Sequence, residues 1–334
     1  MPNDPRLDQL SRWIHTIKPN ATLAPASADA SFRRYFRVSD GDQSYIAMDA
    51  PPEKEDLGPF LDVAQRMTDT AVNIPAINQQ QLAQGFLLMD DLGNTPYLTD
   101  LKDDTADSLY GDAIAAMVKF QLADTDSLPR YDEQLLGDEL ELMPTWFMGK
   151  HLGIHLSESE RHTIDTVFQH LIQSALEQPQ VFVHRDYHSR NLMITPEHNP
   201  GIIDFQDAVL GPICYDLVSL LRDCYIAWPE QRVYRWVNDY RLKAIQAGLV
   251  KSTLTQAQMI EWFDLIGLQR HIKVLGIFAR LSHRDGKSNY LNDLPLTLSY
   301  VMTVAKRYPT TAPLIELFER YQIPEKVGTV ELSA

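Results

Sequence analysis

The stretch that decides the reading is VFVHRDYHSRNLMITPEHNPGIIDFQDAVLGPICYD, residues 181–216. An apolar triplet, Val181-Phe182-Val183, runs into His184-Arg185-Asp186. Asn191 follows five residues after that aspartate, and Asp204 thirteen residues after the asparagine, closing Gly201-Ile202-Ile203. Short apolar runs bounded by polar, Gly- and Pro-containing segments read as strands. Asp186 is therefore expected on a loop behind one strand, and residues 192–203 are expected to form a hairpin that returns Asp204 beside that loop.

Acid, amide and acid at this spacing are the parts of a phosphoryl-transfer site, H-R-D-x-x-x-x-N followed by a metal-binding Asp, with Asp-Phe-Gln in place of Asp-Phe-Gly. A carboxylate on the loop, Asp186, can accept the proton of an attacking hydroxyl. Asn191 brings a neutral oxygen and Asp204 a charged one, the hard ligands that Mg²⁺ takes while leaving positions for phosphate oxygens. A polar loop between two strands explains His-Arg-Asp alone, but not the whole set. His184 reads as a packed structural histidine. Asp216, in Tyr215-Asp216-Leu217, either caps the helix that follows or braces the catalytic loop through its backbone; bracing is the favoured role.

Other chemistries fail on their own motifs. Gly286-Lys287-Ser288 resembles the end of a phosphate-binding P-loop, but Leu281 stands where its first glycine belongs. H-E-x-x-H, C-x-x-C and G-x-S-x-G do not occur. His184, His188 and Asp186 imitate a metal cluster, yet their spacing fits the phosphoryl-transfer loop better.

Outward from this block, the 334 residues suggest two domains or one large one. Apolar residues make up 44% and charged residues 22%, which argues against disorder and fibrous repeats. The 45 acidic and 30 basic residues give a formal charge of -15, which speaks against broad binding of nucleic acid or anionic membrane. Cys214 and Cys224 are too few for a disulfide framework and suit buried positions in a reducing compartment. The N-terminus lacks a secretory pattern and no run of ~18 apolar residues occurs, so a soluble cytoplasmic protein without an obligate protein partner is expected.

The periodicities change near residue 91. Before it, a helix over 4–18 with Asp4 as cap is followed by strands at 32–38, 45–48 and 86–89 and by a helix at 55–70. After it, helical patterns dominate, at about 104–123, 133–152, 157–177, 229–247 and 255–283. Ser157 with Glu160, and Thr255 with Gln258, fit capping boxes. The expected fold is α+β and bilobal: a small sheet-rich lobe over residues 1–91 and a larger helical lobe over 92–334.

This set of residues resembles the aminoglycoside phosphotransferase and choline kinase superfamily, a protein-kinase-like fold that phosphorylates small molecules. The resemblance implies ATP and Mg²⁺ between the lobes, with adenine against the backbone near Met89–Asp91. Ser31-Phe32-Arg33-Arg34-Tyr35-Phe36-Arg37, the segment from Met48 to Glu53, the block from His184 to Met193, and Arg284-Asp285-Gly286-Lys287 also look like the bacterial N-acetylmuramate/N-acetylglucosamine anomeric kinases. That closer likeness implies an amino-sugar acceptor phosphorylated at C1 in cell-wall recycling. The residues alone argue for a small-molecule kinase; an aminoglycoside, choline or homoserine acceptor, or a nucleotide-binding pseudokinase, are the alternatives.

Two departures from the kinase pattern stand out. No G-x-G-x-x-G loop precedes residue 93, so Ser31 is the candidate to meet phosphate at the turn before Phe32. In kinases a lysine occupies the third strand, whereas Tyr45-Ile46-Ala47-Met48 places a methionine there. Arg33, Arg34 and Arg37 are the candidates to replace that cation, since a guanidinium can grip phosphate in a fork; solvated surface arginines are the plain alternative. On the acceptor side Trp146 is a candidate to stack on a sugar, unless it belongs to an amphipathic core helix. Arg270 and Lys273 on one helix, and Arg284 and Lys287 in the loop beyond it, are candidates to meet an acceptor carboxylate.

Overall fold

Asp4 opens the first helix by accepting the Leu7 N–H at 3.1 Å, with Pro5 in the first turn, and the helix runs as α1 (Pro5–Ile17). Residues 4–28 and 32–332 are described in this computed structural model. After α1 come β1 (Thr22–Ala28), β2 (Arg34–Asp40), β3 (Gln43–Asp49), α2 (Leu57–Asp69), β4 (Ile77–Gln81) and β5 (Phe86–Asp90). The next elements are α3 (Tyr97–Asp100), α4 (Ala106–Phe120), α5 (Glu133–Leu140), a π-helical segment Met143–His151, α6 (Glu158–Glu177) and β6 (Gln180–Val183). The short strands β7 (Leu192–Met193), β8 (Gly201–Ile202) and β9 (Val209–Pro212) follow, then α7 (Tyr215–Leu221), α8 (Glu230–Gln246), α9 (Gln256–Asp285), α10 (Leu294–Ala305), α11 (Ala312–Arg320) and α12 (Ile323–Val327). The fold is α+β.

The chain divides into two units. The first is Met1–Pro96 with Leu192–Asp207, the second Tyr97–Asn191 with Ala208–Ala334. A single boundary at residue 91 therefore does not describe the division. The β7–β8 hairpin explains why residues 192–207 join the first unit. Ile194 N–H donates to Thr95 O and Ile202 N–H to Asn73 O, both at 2.8 Å.

The first unit holds a five-stranded antiparallel sheet of order β1-β2-β3-β5-β4. One face packs on α1: Phe36, Val38, Ala47, Phe86 and Leu88 enclose Leu10 and Ile14. The sequence pattern recovers the three central strands and misses both edges. β1 carries Pro25 beside a register irregularity, and β4 reads Ile-Asn-Gln-Gln-Gln and is largely exposed. Edge strands tolerate proline and lack a buried face, so alternation has nothing to mark.

In the second unit, Ser157 and Glu160 form a reciprocal capping box and Thr255 accepts the Gln258 N–H at 3.2 Å. The helix expected over 133–152 is instead two pieces. Pro144 lacks an N–H, ends the ladder of α5, and sits in the first turn of the π-helical segment. Cys214 and Cys224 are both free and buried. Among the described residues, no helix is long and apolar enough to cross a membrane.

α9 is almost entirely buried through its centre and passes the end of α5 in backbone contact. A Cβ at Gly276 would lie 2.3 Å from the Leu142 carbonyl carbon and 2.5 Å from its oxygen. Gly276→Ala should therefore overpack this crossing and lower stability by ~1–3 kcal/mol, read as a reduced Tm in thermal denaturation. An unchanged Tm would mean that the crossing is loose.

Candidate active site

The short ladder of β6 with β9 delivers the chain at Val183 to His184, which is fully buried between the rings of Phe120 and Tyr187. The next residue, Arg185, has φ +76°, a left-handed conformation costly for a residue with a side chain. Two devices hold it. Asp216 of α7 accepts the His184 N–H at 2.7 Å and the Arg185 N–H at 3.0 Å. Burial pushes the Asp216 carboxyl up to about 7, against the lowering effect of those two N–H groups.

The second device grips the Arg185 side chain. Its Nη2 donates to Glu139 Oε1 of α5 at 2.6 Å. The same oxygen accepts Lys273 Nζ of α9 at 2.7 Å, and Lys273 also donates to Tyr215 Oη at 3.0 Å. Tyr131 donates its hydroxyl to the other Glu139 oxygen. Burial pushes the Glu139 carboxyl up, but the Lys273 and Arg185 charges outweigh it and hold it below its ordinary value.

Asp186 is half-buried in this frame, with its N–H donating to His184 Nδ1 at 3.2 Å. Burial pushes its carboxyl up; the charges of His188, Lys273, His184 and Arg270 overcome that and bring it below the usual carboxylate range. Its ionised form is thereby favoured. The loop after it is pinned by Asp223, which accepts both the N–H (3.0 Å) and the hydroxyl of Ser189. Asn191 Nδ2 donates to the Asp186 carbonyl at 3.0 Å, which fixes which end of the amide is its donor side and which its oxygen.

Asp204 lies in the first unit, at φ +65°, with its Oδ1 accepting Gln206 Nε2 at 2.9 Å. The neighbouring Phe205 ring is buried and packs on Phe60 of α2, centroids 5.0 Å apart. Asn191, in the second unit, and Asp204, in the first, each carry a hard oxygen donor of the kind a divalent cation takes.

The three arginines separate. Arg34 faces Asp49 across the β2–β3 ladder, on the face covered by α1. Its Nη2 lies 2.6 Å from the fully buried Asp49 carboxylate, which Arg6 also grips, and it reaches Asp4 as well. Arg37 makes a fork onto Asp91 at 2.7 and 3.2 Å and also reaches Gly93 O. Burial raises the Asp91 carboxyl, while Arg37, Ser44 and the Gly93 N–H bring it below its ordinary value. Arg33, immediately before β2, continues the alternation on the face of Tyr35, whose cross-strand partner is Met48. Ser31 lies outside the described residues. Met89 is buried in β5, paired with Ile46.

Among the acceptor-side candidates, Arg270 is buried on α9, whereas Arg284 is exposed and paired with its neighbour Asp285. Lys287 is half-buried beyond the end of α9, and Trp146 is half-buried in the π-helical segment. Lys273 is taken up by Glu139. Asp138 and Glu141 line a separate cavity of about 600 Å³ with Asp132, Glu133 and Asp165, and Asp186 does not line it. The sequence pattern missed the roles of Glu139, Lys273 and Asp223. Their signal was a charge set within an otherwise apolar run, as in Ile272-Lys273-Val274.

The sequence pattern of the phosphotransferase enzyme family matches residues 22–248, which spans the described sheet, the Asp186 loop and Asp204. The chain belongs to this family. It is a small-molecule phosphotransferase. The N-acetylmuramate/N-acetylglucosamine kinase of Pseudomonas aeruginosa is 44% identical over 330 residues, covering 95% of this chain and 97% of that protein. The kinase of the same name from Neisseria meningitidis is 42% identical over 333 residues, covering 97% of each. The fold extends to members with little sequence likeness. The choline kinase LicA of Streptococcus pneumoniae superposes with a TM-score of 0.61 at 9% identity, over 89% of this chain and 99% of that one. The protein-kinase-like α+β fold is therefore established.

Asp216→Ala should leave the His184 and Arg185 N–H groups without acceptors, at ~1–3 kcal/mol each. Urea denaturation should show that loss together with a fall in kcat; full stability would mean that other groups hold the turn.

Proposed function

We propose that this phosphotransferase moves the γ-phosphoryl group of ATP, bound with Mg²⁺, onto the anomeric hydroxyl of N-acetylmuramate or N-acetylglucosamine, in the cytoplasm. The carrying observation is the 42–44% identity, over nearly the whole chain, with kinases named for those two sugars. The charges around Asp186 support the same reading. Cations, Lys273 and Arg270, bias that carboxylate, while the acids Asp138 and Glu141 line another cavity. A cationic aminoglycoside would call for the reverse.

In this reading Asp186 orients the sugar hydroxyl and takes its proton, a contribution of ~10²–10⁴-fold in general-base catalysis. An anomeric hydroxyl is more acidic than an ordinary alcohol, which suits a base whose own carboxyl is held low. Asn191 and Asp204 would hold the Mg²⁺, which supplies charge neutralisation at the phosphates. Of the three arginines, Arg33 is the one to stand in for the missing strand lysine, since it continues the alternation on the sheet face of Tyr35 and Met48, opposite to Arg34 on the α1 face.

Asp186→Asn should abolish turnover while Mg-ATP affinity, measured by calorimetry, stays near wild type. Asp204→Ala should instead weaken Mg-dependent nucleotide binding. Arg33→Ala should raise the KM for ATP by ~10-fold or more, the loss of one charge-assisted contact, whereas Arg34→Ala should lower Tm. ADP release across a sugar panel, with the product located by phosphorus NMR, tests the acceptor. Turnover confined to a non-sugar alcohol, or phosphate on another hydroxyl, would overturn the proposal.

A further inference from the structure

Buried cations in this protein come with carboxylates, with one exception. Among the described residues the buried Arg and Lys side chains are Arg222, Arg270 and Lys273. Arg222 donates to the buried Asp264 at 2.7 Å, and Lys273 to the buried Glu139 at 2.7 Å. Arg270, only 5% exposed, has no ion pair; its one hydrogen bond goes to Cys224 Sγ at 3.7 Å. Thiol sulfur is a weak acceptor, and a buried guanidinium without an anion is costly. Among the described residues its remaining nitrogens make no hydrogen bond or ion pair.

The nearby carboxylates do not fill the gap. Asp223 is spent on the N–H and hydroxyl of Ser189 and the N–H of Tyr225. Arg270 sits one helical turn before Lys273, which shares Glu139 with Arg185, the neighbour of Asp186, and it contacts Cys224, the neighbour of the Asp223 that pins Ser189 on the Asp186 loop. Among the described residues no carboxylate pairs with it. His188, on the same loop as Asp186, adds a buried Nδ1 without a partner.

An acceptor whose C1 hydroxyl lies at Asp186 presents its O3 substituent one ring-width away. In N-acetylmuramate that substituent ends in a carboxylate; in N-acetylglucosamine it is a plain hydroxyl. We propose that Arg270 is the specificity residue that binds the acceptor carboxylate, matching a planar anion to its fork, and that it contributes little to a neutral amino sugar. This rests on the amino-sugar reading above and sharpens it: the two sugars share a site but not this contact.

The test compares both sugars at saturating Mg-ATP for wild type, Arg270→Met and Arg270→Lys. Arg270→Met should raise the KM for N-acetylmuramate ~10²-fold more than that for N-acetylglucosamine, on top of any change in kcat that both sugars share through Asp186. Arg270→Lys, which keeps the charge and loses the fork, should fall between. Circular dichroism and Tm report the folding of each variant, independently of turnover. Should Arg270→Met not fold, Arg270→Lys decides, by a loss confined to N-acetylmuramate or shared by both sugars. Equal losses on both sugars would assign Arg270 to the transferred phosphoryl group and overturn the proposal, as would an unchanged KM for N-acetylmuramate. A wild-type protein that phosphorylates neither sugar would overturn the amino-sugar reading itself.

Discussion

Two backbone N–H groups meeting one buried carboxylate are the contact on which the loop that carries Asp186 depends. Asp216 draws the chain of His184 and Arg185 into a turn that a non-glycine residue resists, and the turn puts Asp186 at the loop's edge. A buried acid this short of charged partners is a poor anion, which is why burial moves its carboxyl so far up. The strain at Arg185 is then balanced from its other side by Glu139 and Lys273, so the same residue is held by its backbone and by its side chain. α5, α7 and α9, far apart in sequence, converge on one dihedral angle. The helical bulk of the second unit acts as the fixture for a single loop.

Charge is used twice in this chain, and differently. Overall it is acidic, at -15, so anionic nucleotides and sugars gain nothing from its long-range field. Locally it concentrates cations where they matter: Lys273 and Arg270 beside Asp186, and arginines on the sheet. Most of those sheet cations are nonetheless structural. The fully buried Asp49 needs both Arg6 and Arg34, and Asp91 needs Arg37 where the chain leaves β5. Counting arginines near a phosphate site overstates the supply, because a carboxylate on the neighbouring strand can claim one.

Much of the candidate site was legible in the order of residues. The spacing of Asp186, Asn191 and Asp204 is set by a loop and a hairpin, and local chain geometry writes that directly into sequence. Caps such as Asp4, Ser157 and Thr255 were legible for the same reason. The edge strands were not, because they bury no face. The pairing of Glu139 with Arg185 and Lys273 was not, because the three residues meet only when α5, β6 and α9 are packed, and no local periodicity carries that information. The separation of Arg34 from Arg33 and Arg37 turned on cross-strand register: Arg34 faces Asp49, and one residue of slip would have reversed their faces.

The discontinuity of the first unit bears on how the chain is made. Its sheet is complete by Asp90, yet the β7–β8 hairpin that bonds to Asn73 and Thr95 is supplied only at residues 192–207. On the ribosome, the first unit must therefore wait through the synthesis of α4, α5 and α6 before its hairpin emerges. These are contacts of high sequence separation, and closing them carries the loop entropy of everything between. The N-terminal half emerges first but cannot be the first unit finished, and a nascent chain stalled before residue 192 would leave the Asn73 and Thr95 carbonyls without the N–H groups that the hairpin supplies.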